Sequence, residues 1–169
     1  MLNRRIFIAT GTAAVLTPSL FLTGCDTTTV AEFVSLIGTD GAELANLLGD
    51  AAAAQQITNA AALIAADLQN WKPGDATQSA IQAIQDLIAL IQKLVPAGSN
   101  PIYVAAAVLL LGALTGLLAL LPSSAASSVV AHVVKDTNVQ PTHYDGFDKK
   151  SMTKAKKDLT ASWAGLHLK

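Results

Sequence analysis

"IYVAAAVLLLGALTGLLALL", residues 102–121, decides how the rest of this chain is read. Its twenty residues carry no charge, and only Tyr103 and Thr115 bear polar side chains. Asn100 and Pro101 precede it, an N-cap followed by proline at the first helical position. Pro122-Ser123-Ser124 closes it. At 1.5 Å per residue such a helix is about 30 Å long, close to the hydrocarbon thickness of a bilayer. A helix apolar on every side belongs in a membrane or deep inside a protein. Both alternatives stand at this point: a span over 102–121, or a buried central helix. Gly112 and Gly116 lie four residues apart within it. Small residues at that spacing admit a close neighbour. The neighbour is either the same helix of a second copy, giving a homo-oligomer through Gly112 and Gly116, or another part of this chain.

Upstream, apolar residues recur at helical spacing. Thr29-Val30-Ala31-Glu32 reads as a capping box that opens a short helix, with Val30, Phe33, Val34 and Ile37 on one face and Gly38 as its end. Asp40-Gly41-Ala42-Glu43 reads as a second box. From it Leu44, Leu47, Ala51, Ala54, Ile57, Ala61, Ile64, Leu68 and Trp71 follow in steps of three and four. Trp71-Lys72-Pro73-Gly74 stops this helix, because proline disfavours helix at the residue before it. Another helix begins at Asp75 or Thr77 and buries Ile81, Ile84, Leu87, Ile88, Ile91 and Leu94. These two helices are expected to form an antiparallel hairpin turning at Pro73-Gly74.

Downstream, Ser128–Val134 fits a short helix or a strand. Its valines are β-branched, so the lean to helix is weak. Residues 136–148 read as a loop, with Pro141 and Asp145-Gly146 as turn signals. A last helix over 151–166 places Met152, Ala155, Leu159, Trp163 and Leu166 on one side and lysines on the others. The expected class is all-α: an Ala/Leu-rich hairpin or small bundle, one very hydrophobic helix and a basic C-terminal helix. The helical domain covers 30–134 and the basic tail 135–169.

The chain begins differently. Met1-Leu2-Asn3-Arg4-Arg5 is basic, Ile6–Leu22 is apolar and uncharged, and Thr23-Gly24-Cys25 follows. This order marks residues 1–24 as a cleaved secretory signal peptide and not as part of the folded structure. Leu22-Thr23-Gly24-Cys25 resembles the lipobox of bacterial lipoproteins. That resemblance implies cleavage before Cys25, a diacylglycerol on its thiol, and residues 25–29 as a lipidated tether to the bilayer. Asn3-Arg4-Arg5-Ile6-Phe7-Ile8 resembles a twin-arginine export motif, although the usual Ser or Thr before Arg4 and the Lys after Arg5 are missing. Arg4 and Arg5 would then be read by an export receptor; the general secretory route stays open. Asp26 after the cysteine resembles the signal that keeps enterobacterial lipoproteins at the inner membrane, on its periplasmic face.

Cys25 is the only cysteine, so no disulfide forms within one chain. The net charge of −1 hides an uneven spread. Residues 26–100 hold eight carboxylates against two lysines, and residues 101–169 hold seven lysines against four carboxylates. Export argues against nucleic acid as the partner of the lysines. They form a solvated face or contact anionic lipid.

No pattern of catalysis is present. His132, His143 and His167 are scattered, and none pairs with Cys, His or Glu at metal-ligand spacing. His143, Asp145 and Asp148 share one loop, where Asp145-Gly146 reads as a turn rather than a cation site. Nucleophile elbow, phosphate loop and dinucleotide fingerprint are absent. Neither cofactor nor metal is expected. The leading functional reading is a small membrane-anchored lipoprotein with a structural or interaction role and no catalysis. The alternatives are a holin-like or pore-forming protein that self-associates through helix 102–121, and an exported enzyme.

Overall fold

The computed structural model describes residues 26–71, 78–96, 98–121 and 123–168. Among them are six helices and no strand: α1 (Thr27–Leu47), α2 (Ala51–Gln69), α3 (Gln78–Leu94), α4 (Pro101–Leu120), α5 (Ser124–Thr137) and α6 (Lys149–Gly165). The α2–α3 turn at Pro73-Gly74 lies outside the described residues.

The helical signals hold, but two boundaries move. Gly38 does not end the first helix, and Asp40 does not start the second. α1 runs through both, because neither Gly38 nor Gly41 takes the left-handed conformation that stops a helix. Gly49 does, at φ +80°. The Gly49 N–H donates to the Asn46 carbonyl (3.0 Å) and the Asp50 N–H to the Ala45 carbonyl (2.9 Å), which together form a Schellman stop. Asp50 then caps α2 by accepting from the Ala53 N–H at 2.9 Å. Gly38 and Gly41 serve close approach instead. A Cβ at Gly38 would run into the Cβ of Ala61 on α2, and one at Gly41 would lie 3.1 Å from Ile57 Cγ2.

Packing contacts give the topology. The start of α1, the end of α2 and the end of α4 meet at one end of the bundle, where Thr27, Val30, Leu68, Trp71, Leu121 and Phe147 line a crevice. At the other end Ile91 and Val95 of the α3 terminus lie beside Val104 of α4 and Thr137 of α5. So α1, α3, α5 and α6 run away from the Asp26 end, and α2 and α4 run back. α5 takes the helical alternative, opened by Ser123, whose hydroxyl accepts from the Ala125 N–H. Asn138 ends it in the left-handed region at φ 56°.

α4 sits at the centre and packs against α1, α3, α5 and α6. Every residue from Leu110 to Leu118 is buried. Thr115 fits there because its hydroxyl donates to the Leu111 carbonyl at 2.7 Å. Toward its N-terminus the cover is incomplete, and Ile102, Val104 and Val108 remain 40–45% exposed. The helix is long and apolar enough to cross a membrane by length and composition, and 61% of its most apolar window is buried within the fold. This is the arrangement of the buried-helix alternative.

Alanine at position 38 separates helix propensity from packing. In an open helix, Gly→Ala gains about 1 kcal/mol. Against Ala61 the added methyl overpacks the α1–α2 contact, at a cost of roughly 1–3 kcal/mol. Gly38→Ala is therefore expected to lower the melting temperature followed by circular dichroism. Gly165→Ala, which meets nothing within 4 Å, is expected not to.

Candidate functional site

Arg4, Arg5 and Cys25 lie outside the described residues, and Asp26 is the first within them. Asp26 caps α1: its carboxylate accepts from the Thr29 N–H (3.1 Å) and the Thr29 hydroxyl (2.9 Å). Those bonds, backbone first, hold its carboxyl below the usual range, and nearby Lys149 adds to the effect. The capping box expected at Thr29–Glu32 is thus displaced by three residues, and Thr27–Thr29 belong to the helix instead of a tether. Glu32 is free to pair with Lys156 of α6. The Asp26 N–H donates to the Phe147 carbonyl at 3.1 Å, which pins the start of α1 to the segment before α6.

Gly112 and Gly116 do admit a close neighbour, and it is a segment of the same chain. Residues 138–147, read from sequence as a loop, run as an extended strap along α4. The Thr142 N–H donates to the Gly112 carbonyl at 2.9 Å. A Cβ at Gly116 would run into the Thr142 carbonyl and the Tyr144 ring. Tyr144 then meets Phe33 of α1 edge to face, with centroids 5.5 Å apart and planes at 81°. A helix of a second copy has no room on this face while the strap is seated.

The polar candidates stay apart. His132 faces Asp136 at 3.1 Å and His143 faces Asp145 at 3.6 Å, all well exposed. Asp148 is committed as the N-cap of α6, accepting from Lys150 N–H (2.9 Å) and Ser151 N–H (3.1 Å). Among the described residues no three His, Cys, Asp or Glu side chains gather to hold a metal. A cavity of about 110 Å³ lies between α4, the strap and α6, with Tyr144, Lys154, Asp158 and Ser162 in its wall. Burial pushes the Tyr144 hydroxyl up to about 12, so it stays protonated and offers no base. Lys154 and Asp158 face each other at 3.7 Å across the helix surface.

Sequence reasoning missed Asp40. The sequence pattern makes it a cap, yet only 6% of it is exposed, and its Oδ2 has no hydrogen-bond partner among the described residues. The signal was there: Val30, Phe33, Ile37 and Leu44 continue one apolar face straight through position 40. Desolvation, with a smaller push from Glu43, raises its carboxyl to about 6. Glu43 itself accepts from the Trp163 indole N–H at 3.1 Å.

Asp40 therefore binds its proton more tightly folded than unfolded. Its contribution to stability is present below pH 4 and is lost as pH rises toward 6. Asp40→Asn removes the charge at little change in shape. The variant is expected to be more stable than the parent by about 1–2 kcal/mol above pH 7. That advantage should shrink toward nothing near pH 4. A difference that stays constant between the two pH values would show that Asp40 does not titrate in this window.

No family model matches the chain, and neither the curated proteins nor the solved structures give a match.

Proposed function

We propose that this chain is an exported bacterial lipoprotein: a helical module held to the membrane by acylated Cys25, with a structural or interaction role and no catalysis. The observation that carries this reading is Leu22-Thr23-Gly24-Cys25 at the end of an uncharged apolar run. The fold is consistent with cleavage there, since α1 starts at Thr27, two residues after the cysteine. Arg4 and Arg5 would direct export, and Asp26 favours retention on the periplasmic face of the inner membrane. One acyl chain holds a protein only marginally, whereas two or more hold it stably. Diacylglycerol on Cys25 meets that requirement.

The pore-forming alternative needs α4 in lipid and its glycines against another helix. In the fold, α4 is wrapped by four helices of its own chain, and the strap fills the glycine face. Nothing in the geometry favours that alternative over the anchored module.

Mass spectrometry of protein purified from membranes is expected to find residues 1–24 removed and a lipid mass on Cys25. A free thiol there, or a different first residue, overturns the reading. Orientation gives a second check. Thr153 is exposed on α6. Thr153→Cys in spheroplasts is expected to react with a membrane-impermeant thiol reagent, because the whole bundle stands outside. Failure to label in intact spheroplasts, with labelling after lysis, would restore the spanning alternative.

A further inference from the structure

We propose that Asp40 makes the seat of α6 sensitive to pH. With its carboxyl protonated, α6 and the strap stay closed over α1; with it ionised, they come away together while α1 to α4 stay folded. Nothing in this depends on how the chain is anchored.

Helix geometry puts Asp40 under α6. Successive residues of α1 turn by about 100°. Gly38 faces Ala61 of α2, and Gly41 faces Ile57 of α2 and Leu110 of α4. Phe33 meets Tyr144 of the strap, while Glu32 and Glu43 reach Lys156 and Trp163 of α6. Asp40 lies about 20° round the helix from Phe33, about 60° from Glu43 and about 160° from Gly38. It is therefore covered by the edge that the strap and α6 share, and not by α2.

A carboxyl in that place suits one protonation state. The side chain is almost wholly buried, and its Oδ2 has no partner among the described residues. A neutral carboxyl tolerates this better than a carboxylate, whose water is stripped and not replaced. No neighbouring element supplies a cation. α4 carries no charge, and its one titratable group is Tyr103. On α6, Lys156 is taken by Glu32 and Lys154 by Asp158, and Lys157 is exposed. In the strap His143 faces Asp145, and Tyr144 keeps its proton. The single charged residue of α2 is Asp67, near the far end of that helix. Among these groups Glu43 is the one that acts on Asp40, and it opposes ionisation.

Water returns to Asp40 by the weaker side. α2 lays Ile57, Ala61, Ile64 and Leu68 into the core. α6 buries only Met152, Ala155 and Leu159, and its polar ties to α1, Glu32–Lys156 and Glu43–Trp163, are exposed. The strap adds the Thr142–Gly112 and Asp26–Phe147 backbone bonds and the Tyr144–Phe33 contact. Segments with so few buried contacts open below the global unfolding free energy. Opening here bares Phe33 and the groove at Gly112 and Gly116.

Hydrogen exchange of the full-length protein, read by mass spectrometry as protection with intrinsic exchange divided out, tests this between pH 5 and pH 8. Residues 139–168 are expected to be less protected than α2 and α3 at pH 8. Their protection should fall about tenfold from pH 5 to pH 8, because the released carboxyl ionises more readily than the buried one. In Asp40→Asn that fall should vanish. Equal protection of 139–168, α2 and α3 overturns the separate release. Protection of 139–168 that ignores pH, or falls equally in Asp40→Asn, overturns the part given to Asp40. Should the variant fail to fold, the unaltered protein decides by the shape of its profile. The fall is expected to begin near pH 4 and to level off by about pH 7, the limits set by the free and the buried carboxyl. A fall that starts only above pH 6 belongs to another group and overturns the proposal.

Discussion

Covering α4 from Leu110 to Leu118 is the constraint on which the structure depends. A helix with no polar face cannot sit at a surface in water, and each large aliphatic side chain hidden contributes about 1.5–3 kcal/mol. The other helices are amphipathic and have one face to hide. α1, α3, α5 and α6 turn those faces toward α4, while α2 closes over α1 and α3. Leu110, Leu114 and Leu117 of α4 are wholly enclosed, as are Phe33, Ile37 and Leu44 of α1. An uncharged twenty-residue segment thereby becomes the axis of the bundle.

Two glycine pairs solve two versions of one problem. Gly38 and Gly41 bring α1 against α2, where they meet Ala61 and Ile57. Gly112 and Gly116 open a groove in α4 too narrow for a side chain and wide enough for a bare backbone. The strap lies there because an extended chain offers a carbonyl and an N–H at close range, and the Thr142–Gly112 bond uses one of them. Aromatic contact at Tyr144 adds about 0.5–1.5 kcal/mol to the seating. Both pairs demand the absence of a Cβ, yet one neighbour is a helix and the other is not.

Much of the architecture was legible from periodicity and caps. Asn100-Pro101 marks the true start of α4, and the faces of α3 and α6 are the expected ones, because local rules decide those positions. Reading failed where a residue served a distant partner. Gly38 looks like a terminator until Ala61, far along the chain, is known to press on it. Glu32 fits a capping box until Lys156 arrives from α6. Asp40 resembles a cap because aspartate so often is one, and only its burial shows otherwise. Residues 138–147 carry loop composition, and nothing local reveals that they fill a groove in α4. The proposed roles of Cys25, Arg4 and Arg5 rest on sequence pattern alone, since signals for export and acylation are linear and do not depend on a folded surface.

The bonds between α1 and α6 join parts of the chain more than a hundred residues apart: Glu32 to Lys156, and Glu43 to Trp163. The first helix is thus closed over by the last. A nascent chain that has emerged as far as α5 holds Phe33 without Tyr144 against it and the α4 glycine groove without its strap. Its interior is open to water until the strap and α6 have followed. Premature termination or clipping before residue 149 would leave that apolar surface bared, the feature by which quality-control proteases and chaperones tell partial products from whole ones. In this topology the core is sealed only when the strap and α6 arrive, so the segment that follows α5 acts as a latch on helices that precede it by a hundred residues.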